Sequence, residues 1–286
     1  MIERVVIPAA GLGTRLLSAT KEQPKEMLPV FARGKDGTPC LKPLVQLIFE
    51  DLFDTGARTF CLVVGRGKRA IEDHFTPHRD FLQYLNGRGK NSQAIELETF
   101  YRRIEASTIL WMNQPEPRGF GDAVLRAQLA VTREPFVVQA GDTMIISRTT
   151  HILERLVAEH RRSHADATLT LQEIHDPRGY GVAEVTGTET GGLRVKRVME
   201  KPAKPRSNLA IMPVYVFNLT LFDSLRDISP DKGGELQLTD AIQKLIEIGG
   251  VVKGIKLRKD DIRLDIGTPE TYWEALSLSY KHATSM

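Results

Sequence analysis

Apolar positions in the first 175 residues follow two alternating patterns. Short runs rich in β-branched and aromatic residues, typical of buried strands, alternate with segments whose apolar residues recur three and four positions apart, typical of helices. The runs that predict strands are residues 5–7, 60–64, 109–112, 135–140 and 167–174. Helices are predicted from Pro43 to Gly56, around residues 71–75, after a cap at Asp122, and over residues 151–164. This alternation predicts an α/β fold.

The pattern changes after residue 180, where strand-like runs predominate. Strands are predicted at residues 180–185, 193–199, 209–218 and 251–257, with a glycine turn at Gly191 and Gly192. Helices are predicted at residues 237–248 and 269–280. Residues 31–39 are predicted to form a surface loop, and residues 76–106 to be irregular and charged.

Two charged segments resemble functional sites but are better explained as surface. His74 and His78 are four positions apart, a spacing that suits a metal on a helix, but Pro77 between them breaks that geometry. We therefore predict two surface histidines. Residues 65–69, Gly-Arg-Gly-Lys-Arg, could bind an anion, but a solvated turn before the next helix is favoured.

The composition is that of an ordinary soluble globular protein. The chain has 286 residues, 41% hydrophobic and 26% charged, which suits one large or two small domains. No apolar run approaches the roughly 18 residues of a membrane span. Met1 leads into charged residues and a strand without a signal-peptide pattern. We therefore expect a cytoplasmic protein with no membrane partner.

Charge and cysteine content argue against two further classes. The net charge of +3 arises from 39 basic and 36 acidic residues that are interspersed, so no basic stripe indicates nucleic acid. Cys40 and Cys61 are the only cysteines; neither has a partner at metal-ligand spacing, and a disulfide is not expected.

The residues after the first strand carry the strongest chemical signal. Residues 9–15 read Ala-Ala-Gly-Leu-Gly-Thr-Arg, and Lys25 follows ten residues after Arg15. Glycine lets backbone N–H groups approach an anion, although glycines after a strand are more often plain turns. A dinucleotide motif would need glycine where Leu16 stands, and the Gly-Lys-Ser/Thr ending of a P-loop is missing. A glycine loop with one hydroxyl and two cations remains, and it suits a triphosphate.

Residues 9–15, with Thr20-Lys21 and the stretch Pro-Lys-Glu-Met-Leu-Pro at 24–29, resemble the signature of nucleotide-sugar pyrophosphorylases. They are most similar to prokaryotic glucose-1-phosphate uridylyltransferases, and matching stretches recur in family order from residue 5 to about residue 276. The resemblance implies a Rossmann-like nucleotidyltransferase fold, with a mixed central sheet flanked by helices and a smaller β-rich sugar-binding subregion. It also implies one domain over residues 1–286, with the nucleotide in about 1–175 and the sugar phosphate and C-terminal helix in about 176–286.

The implied activity joins UTP to glucose 1-phosphate and releases UDP-glucose and pyrophosphate. The sugar phosphate attacks the α phosphorus directly, so catalysis depends on positioning and on neutralising charge with Mg²⁺. The resemblance also implies a homo-oligomer, a dimer or a tetramer.

Eight positions match the family's nucleotide-binding residues. Arg15 would bind the departing β and γ phosphates and Lys25 would lie near the attacked α phosphate, so both are assigned catalytic roles. Gln114 is expected to contact the pyrimidine edge through its amide, with Gly119 close to the ribose. The eight are Ala10, Gly11, Gly13, Thr14, Arg15, Lys25, Gln114 and Gly119.

Two aspartates at predicted strand ends, Asp142 and Asp265, could converge, because ligands of open α/β sheets bind outside the carboxyl ends of strands. A turn aspartate that stabilises its own backbone is the alternative for Asp142. By resemblance the two are the Mg²⁺ ligands, and Mg²⁺ prefers one or two carboxylates plus phosphate oxygens and water.

The sugar phosphate would meet four positions in the second half of the chain. By resemblance, Glu200 accepts hydrogen bonds from sugar hydroxyls, and Lys201 has a catalytic role in holding the attacking phosphate. The four are Gly181, Glu200, Lys201 and Glu235.

The sequence departs from the family pattern at two places. Residues 119–123 read Gly-Phe-Gly-Asp-Ala where many uridylyltransferases have Gly-Leu-Gly-His-Ala, and Thr143 replaces a second aspartate often seen there. The base and sugar preference therefore stays open, and a thymidylyltransferase that uses dTTP is the main alternative. A catalytically silent nucleotide-sugar-binding regulator is disfavoured, because Arg15, Lys25, Asp142, Lys201 and Asp265 are all retained.

Overall fold

The computed structural model describes residues 2–132, 135–188 and 192–285, and it contains thirteen strands and ten α-helices within these ranges. The strands are β1 (Arg4–Pro8), β2 (Pro29–Arg33), β3 (Pro39–Pro43), β4 (Thr59–Val64), β5 (Thr108–Asn113), β6 (Phe136–Gln139), β7 (Thr143–Ile146), β8 (Ala167–Glu173), β9 (Gly181–Thr186), β10 (Leu193–Glu200), β11 (Leu209–Phe217), β12 (Val252–Lys256) and β13 (Ile262–Asp265). The helices are α1 (Leu17–Thr20), α2 (Leu44–Asp54), α3 (Arg69–His74), α4 (Arg79–Gly87), α5 (Asn91–Glu105), α6 (Phe120–Arg126), α7 (Ile152–Arg162), α8 (Thr220–Asp227), α9 (Leu238–Glu247) and α10 (Pro269–Thr284).

Nine strands form one mixed sheet in the order β5-β4-β1-β6-β11-β8-β12-β10-β9. The four strands β5, β4, β1 and β6 are parallel, whereas β11 runs antiparallel to β6 and to β8. Strand β9 also pairs with β11 through Val182 and Ala210, so the far end of the sheet curls back on itself. The predicted mixed central sheet with flanking helices is confirmed.

The central strands β1, β4, β6 and β11 are largely apolar, so the middle of the sheet is buried on both faces. On β1, Val5 and Ile7 join one core with helices α2 and α7, while Val6 joins a second core with helices α6, α8 and α9. Successive side chains of a strand point to opposite faces, so one run of apolar residues contributes to both cores. The parallel strands are thereby held with their carboxyl ends at one edge.

The prediction that residues 76–106 are irregular was wrong. They contain helices α4 and α5, and α5 places Leu97, Phe100, Tyr101 and Ile104 in or against the first core. These apolar residues recur three and four positions apart, but the charged residues between them obscured the period. His74, predicted to lie at the surface, is half-buried and its Nε2 lies 2.9 Å from Gln46 Oε1. His78 is exposed, as predicted.

Residues 31–39, predicted as a surface loop, belong largely to a hairpin. Strands β2 and β3 pair antiparallel, with only residues 34–38 between them. The hairpin packs on helix α10, where Phe31 meets Tyr280 edge to face at 5.0 Å. Partly buried apolar side chains therefore stabilise a segment whose glycines and prolines favour a turn.

The later strands and helices lie close to their predicted positions. Helix α8 was not predicted, and Asp122 lies within the first turn of α6 and not at its cap, which is Gly119. Gly191 of the predicted glycine turn lies outside the described residues. Strands from both predicted halves belong to the nine-stranded sheet, and the boundary near residue 175 stays a prediction. In the described part of the chain, no helix is long and apolar enough to cross a membrane.

His74 makes stability depend on pH. Burial lowers its pKa from 6.5 to about 4, against a smaller opposite effect of Glu50. Below pH 6.5 the unfolded chain binds a proton that the folded chain does not, so stability is lost as the pH falls from about 6.5 towards about 4. We expect His74→Gln, which keeps a donor for Gln46, to remove roughly 2 kcal/mol of that loss. Urea unfolding of both proteins at several pH values measures it, and parallel stability curves would contradict it.

Candidate active site

A cavity of about 860 Å³ lies beyond the carboxyl ends of the parallel strands. Ala10 follows β1, Gln114 follows β5 and Asp142 follows β6, so the parallel sheet alone brings these three residues to one edge. All fourteen predicted site residues line this one cavity: Ala10, Gly11, Gly13, Thr14, Arg15, Lys25, Gln114, Gly119, Asp142, Gly181, Glu200, Lys201, Glu235 and Asp265. The structure therefore brings the whole predicted set together.

The glycine loop forms one wall of the cavity. Gly13 has φ of +66°, in the left-handed region that favours glycine, and a Cβ there would lie 3.1 Å from Thr20 Oγ1. The Thr20 hydroxyl lies 2.9 Å from the carbonyl oxygens of both Gly13 and Leu16, which holds the loop against the following helix. On the cavity side, Gly11 faces the Lys25 ammonium, which a Cβ would approach to 3.7 Å.

Lys25 and Asp142 form an ion pair within the cavity. Burial lowers the pKa of Lys25, but the nearby carboxylates of Asp142 and Glu26 outweigh it, so the net shift is upward. Lys25 is therefore a fixed cation. Arg15, which also lines the cavity, is exposed and forms no ion pair within the described residues.

A second ion pair, next to the first in sequence, reaches the cavity wall through Glu26. Glu26 Oε2 accepts from Lys68 Nζ at 2.8 Å, and the two side chains are only 2% and 6% exposed. Burial raises the pKa of Glu26, against the opposing charge of Lys68. The prediction of a solvated turn at residues 65–69 is therefore wrong for Lys68. Glu26 stands within the family signature, but nothing in the sequence indicated that it pairs with Lys68.

Asp142 and Asp265 meet through a two-stranded antiparallel sheet. Strand β13 ends at Asp265, which pairs in register with Thr143 of β7, and the Asp142 carbonyl accepts from the Ile266 N–H at 3.0 Å. Burial and the charge of Asp142 raise the pKa of Asp265. A cation between the carboxylates would relieve this repulsion.

The donor set fits a hard divalent cation. The described residues contain no cluster of three or more acidic, histidine or cysteine ligands. Two carboxylates are nevertheless sufficient for Mg²⁺, which completes its coordination with phosphate oxygens and water. Asp142 and Asp265 are the residues that would hold such an ion.

Gln114 lies at the other end of the cavity, beneath the loop that leads into α6. Its Nε2 donates to Asp122 Oδ2 at 2.8 Å and to the Gly119 carbonyl at 3.1 Å. Gly119 has φ of +96°, and a Cβ there would lie 2.7 Å from the Leu236 carbonyl oxygen. The loop therefore packs directly on residues 235–236, which bring Glu235 to the cavity.

Three of the four predicted sugar-phosphate residues lie at the ends of β9 and β10, where Gly181 begins β9, Glu200 ends β10 and Lys201 follows it. Glu200 Oε2 accepts from the Thr239 hydroxyl at 2.7 Å, and Glu200 Oε1 lies 3.2 Å from Lys201 Nζ. A Cβ at Gly181 would lie 2.8 Å from Thr239 Oγ1, so this close packing needs glycine. Lys201 has φ of +38°, a conformation uncommon outside glycine.

Two polar cavity residues, Thr239 and Arg263, were missed by sequence reasoning. Thr239 orients Glu200, and Arg263 adds a cation to the wall. Arg263 lies over the Tyr180 ring at 5.3 Å from its centre. Thr239 lies in the stretch that was singled out for Glu235, at the start of helix α9. Arg263 lies on strand β13, two positions before Asp265. Residues two apart on a strand share a face, so the position of Arg263 could have indicated that it faces the site.

A family model described as Nucleotidyl transferase matches residues 4–281. The chain belongs to the nucleotidyl transferase family. Families of this kind usually use a divalent metal ion. A relative of this nucleotidyl transferase, UTP--glucose-1-phosphate uridylyltransferase of Bacillus subtilis (strain 168), is 37% identical over 251 residues, covering 86% of this chain and 81% of the relative.

Solved structures agree with this family assignment. The nucleotidyl transferase described here is similar to a UDP-glucose pyrophosphorylase complexed with UDP-glucose, with a TM-score of 0.83, 29% identity and coverage of 99% of this chain and 100% of the other. It is also similar to a UTP-bound UGPase from Acinetobacter baumannii, with a TM-score of 0.84, 26% identity and coverage of 99% and 94%.

The buried pair of Glu26 and Lys68 should matter for stability. We expect Lys68→Met to lower the free energy of unfolding by about 3–5 kcal/mol, because it leaves a carboxylate buried without its partner. The control is Arg79→Met, which breaks an ion pair whose side chains are 47% and 49% exposed and should cost at most about 1 kcal/mol. Urea unfolding measures both, and equal losses would contradict the assignment.

Proposed function

We propose that this chain is a UTP–glucose-1-phosphate uridylyltransferase, which converts UTP and glucose 1-phosphate to UDP-glucose and pyrophosphate. One observation carries the proposal: every residue matched to the family's nucleotide, metal and sugar-phosphate positions lines the same cavity. The similarity to a uridylyltransferase and to structures holding UTP or UDP-glucose supports it. The cavity volume of about 860 Å³ suits two substrates side by side.

The cationic residues of the cavity are assigned to different phosphates of the triphosphate. We assign Arg15, with the N–H groups of the loop from Ala10 to Thr14, to the β and γ phosphates that leave as pyrophosphate. Lys25 would lie at the α phosphate, because its ammonium is held at Asp142. Fixed cations stabilise the charge that develops on the transferring phosphoryl group without reorganising during the reaction.

The sugar phosphate enters from the opposite wall. We assign its hydroxyls to Glu200, which Thr239 orients, and its phosphate to Lys201. A phosphate oxygen of this substrate attacks the α phosphorus, and the bond to the β phosphate oxygen breaks. Glu235 and Gly181 complete this wall.

The proposed cofactor is Mg²⁺ at Asp142 and Asp265. When bound there it would neutralise triphosphate charge, the usual role of a metal ion in phosphoryl transfer. The division near residue 175 into a nucleotide half and a sugar-phosphate half is proposed on the same site assignments. The homo-oligomer that the resemblance implies and the cytoplasmic location expected from the sequence pattern stay predictions.

A thymidylyltransferase is the second candidate. Uracil and thymine carry the same N3–H, and the Gln114 amide oxygen can accept it from either base. The test is pyrophosphate release from UTP or dTTP with glucose 1-phosphate and Mg²⁺, followed by competition of the two nucleotides in one assay. We expect UTP to be used with the higher kcat/KM. Release with neither nucleotide would refute both candidates.

The two aspartates should act as one unit. We expect Asp142→Asn and Asp265→Asn each to lower turnover on the order of 10²-fold or more and to raise the Mg²⁺ concentration needed for half-maximal turnover. The double variant should lose far less than the product of the single losses, because both residues act through one ion.

Melting temperatures of the same three variants provide the control. If either aspartate only stabilised a turn, its substitution would lower the melting temperature by a few degrees and leave turnover within a few fold. That result would remove the metal assignment.

A further inference from the structure

The side-chain amide of Gln114 is held in one orientation by its neighbours. Its two N–H groups point to Asp122 Oδ2 and to the Gly119 carbonyl oxygen, at 2.8 and 3.1 Å. The backbone N–H of Gln114 also donates to the Val64 carbonyl, at 2.8 Å, which anchors the residue to the end of the parallel sheet. Gln114 and Asp122 are only 4% and 8% exposed.

These two neighbours determine which amide atom remains for a ligand. An ionised carboxylate and a peptide carbonyl can only accept hydrogen bonds, so both must face the NH₂ end of the amide. Turning the amide over would place its oxygen against two acceptors and leave buried groups unpaired. The Gln114 oxygen, which accepts no hydrogen bond from the described residues, is thereby the atom left to the cavity.

A hydrogen-bond acceptor at this position selects among bases by their ring nitrogen. Uracil and thymine carry an N–H at N3 and can donate to it, whereas N3 of cytosine is itself an acceptor. A buried acceptor facing another acceptor loses its hydrogen bond and gains repulsion. Sites built in this way reject the mismatched ligand far more strongly than apolar pockets do.

We propose that Asp122 is a positioning residue for base specificity: it forces the Gln114 amide to present its oxygen, which admits pyrimidines with an N3–H and excludes cytosine. The proposal rests on the nucleotide site of the proposed function and deepens it. It also gives a role to the departure at residues 119–123, where this chain has aspartate in place of the histidine of many uridylyltransferases.

The test compares UTP with CTP in the wild-type protein and in Asp122→Asn. An asparagine amide can face Gln114 with either its oxygen or its NH₂ group, so it no longer dictates the orientation. We expect the wild-type protein to prefer UTP by about 10²-fold or more in kcat/KM and in calorimetric Kd, and Asp122→Asn to narrow that ratio roughly tenfold. A purely structural role would weaken both nucleotides equally and leave the ratio unchanged, which would overturn the proposal.

Arg126→Ala is the matched control. Arg126 is exposed and reaches the other oxygen of Asp122 at 3.4 Å, so its removal alters the same carboxylate without touching Gln114. The UTP to CTP ratio should stay within about twofold of the wild-type value. If Arg126→Ala narrowed the UTP to CTP ratio as much as Asp122→Asn does, the effect would arise from a disturbance of helix α6, and the proposal would be overturned.

A measurement on the wild-type protein covers the case in which Asp122→Asn does not fold. N3-methyl-UTP lacks the N–H, whereas 5-methyl-UTP keeps it and carries the same added methyl group. We expect 5-methyl-UTP to compete with UTP within a few fold and N3-methyl-UTP to bind at least about tenfold more weakly. Equal binding of the two analogues would overturn the proposal.

Binding and turnover separate the two hypotheses. A preference for UTP in calorimetry that depends on Asp122, without pyrophosphate release, would refute the proposed function and support the role of Asp122. Pyrophosphate release from UTP with an unchanged UTP to CTP ratio in Asp122→Asn would support the proposed function and refute the role of Asp122.

Discussion

Two ion pairs made by adjacent residues, Lys25 and Glu26, hold the cavity in shape. Lys25 reaches Asp142 beyond strand β6, and Glu26 reaches Lys68 at the start of α3. Successive residues of opposite charge thus connect the glycine motif to two distant parts of the chain. Pairs buried in this way contribute little net stability, because the cost of removing charges from water offsets their attraction. Their effect here is geometric, since each fixes where a charged group lies.

Much of the fold could be predicted because the central strands β1, β4 and β6 are largely apolar on both faces. Residues 60–64 and 167–174 could be recognised as strands from their composition. The parallel sheet then places Ala10, Gln114 and Asp142 at one edge. The fourteen site residues came from the family resemblance, and the structure places them together. Their individual roles still depend on the proposed experiments.

What could not be predicted depends on contacts distant in sequence. Helix α5 carries charges that hide its apolar face, and that face is recognisable only once the first core is known. Lys68 lies among glycines and arginines typical of a solvated turn, and its burial follows from a carboxylate 42 positions earlier. Thr239 likewise could be recognised as a site residue only from its hydrogen bond to Glu200, 39 positions away.

The close packing of Gly119 and Gly121 on Leu236 joins the two walls of the cavity. The Gly121 N–H donates to the Leu236 carbonyl at 2.8 Å, and the Leu236 N–H donates to the Arg118 carbonyl at 2.7 Å. No Cβ fits at either glycine, so the segment of residues 118–121 and the segment that carries Glu235 cannot move independently. A ligand that shifts one segment must shift the other, and the resulting change in affinity has to be the same in both directions. Ligand binding at one of these two backbone segments would therefore be thermodynamically linked to ligand binding at the other.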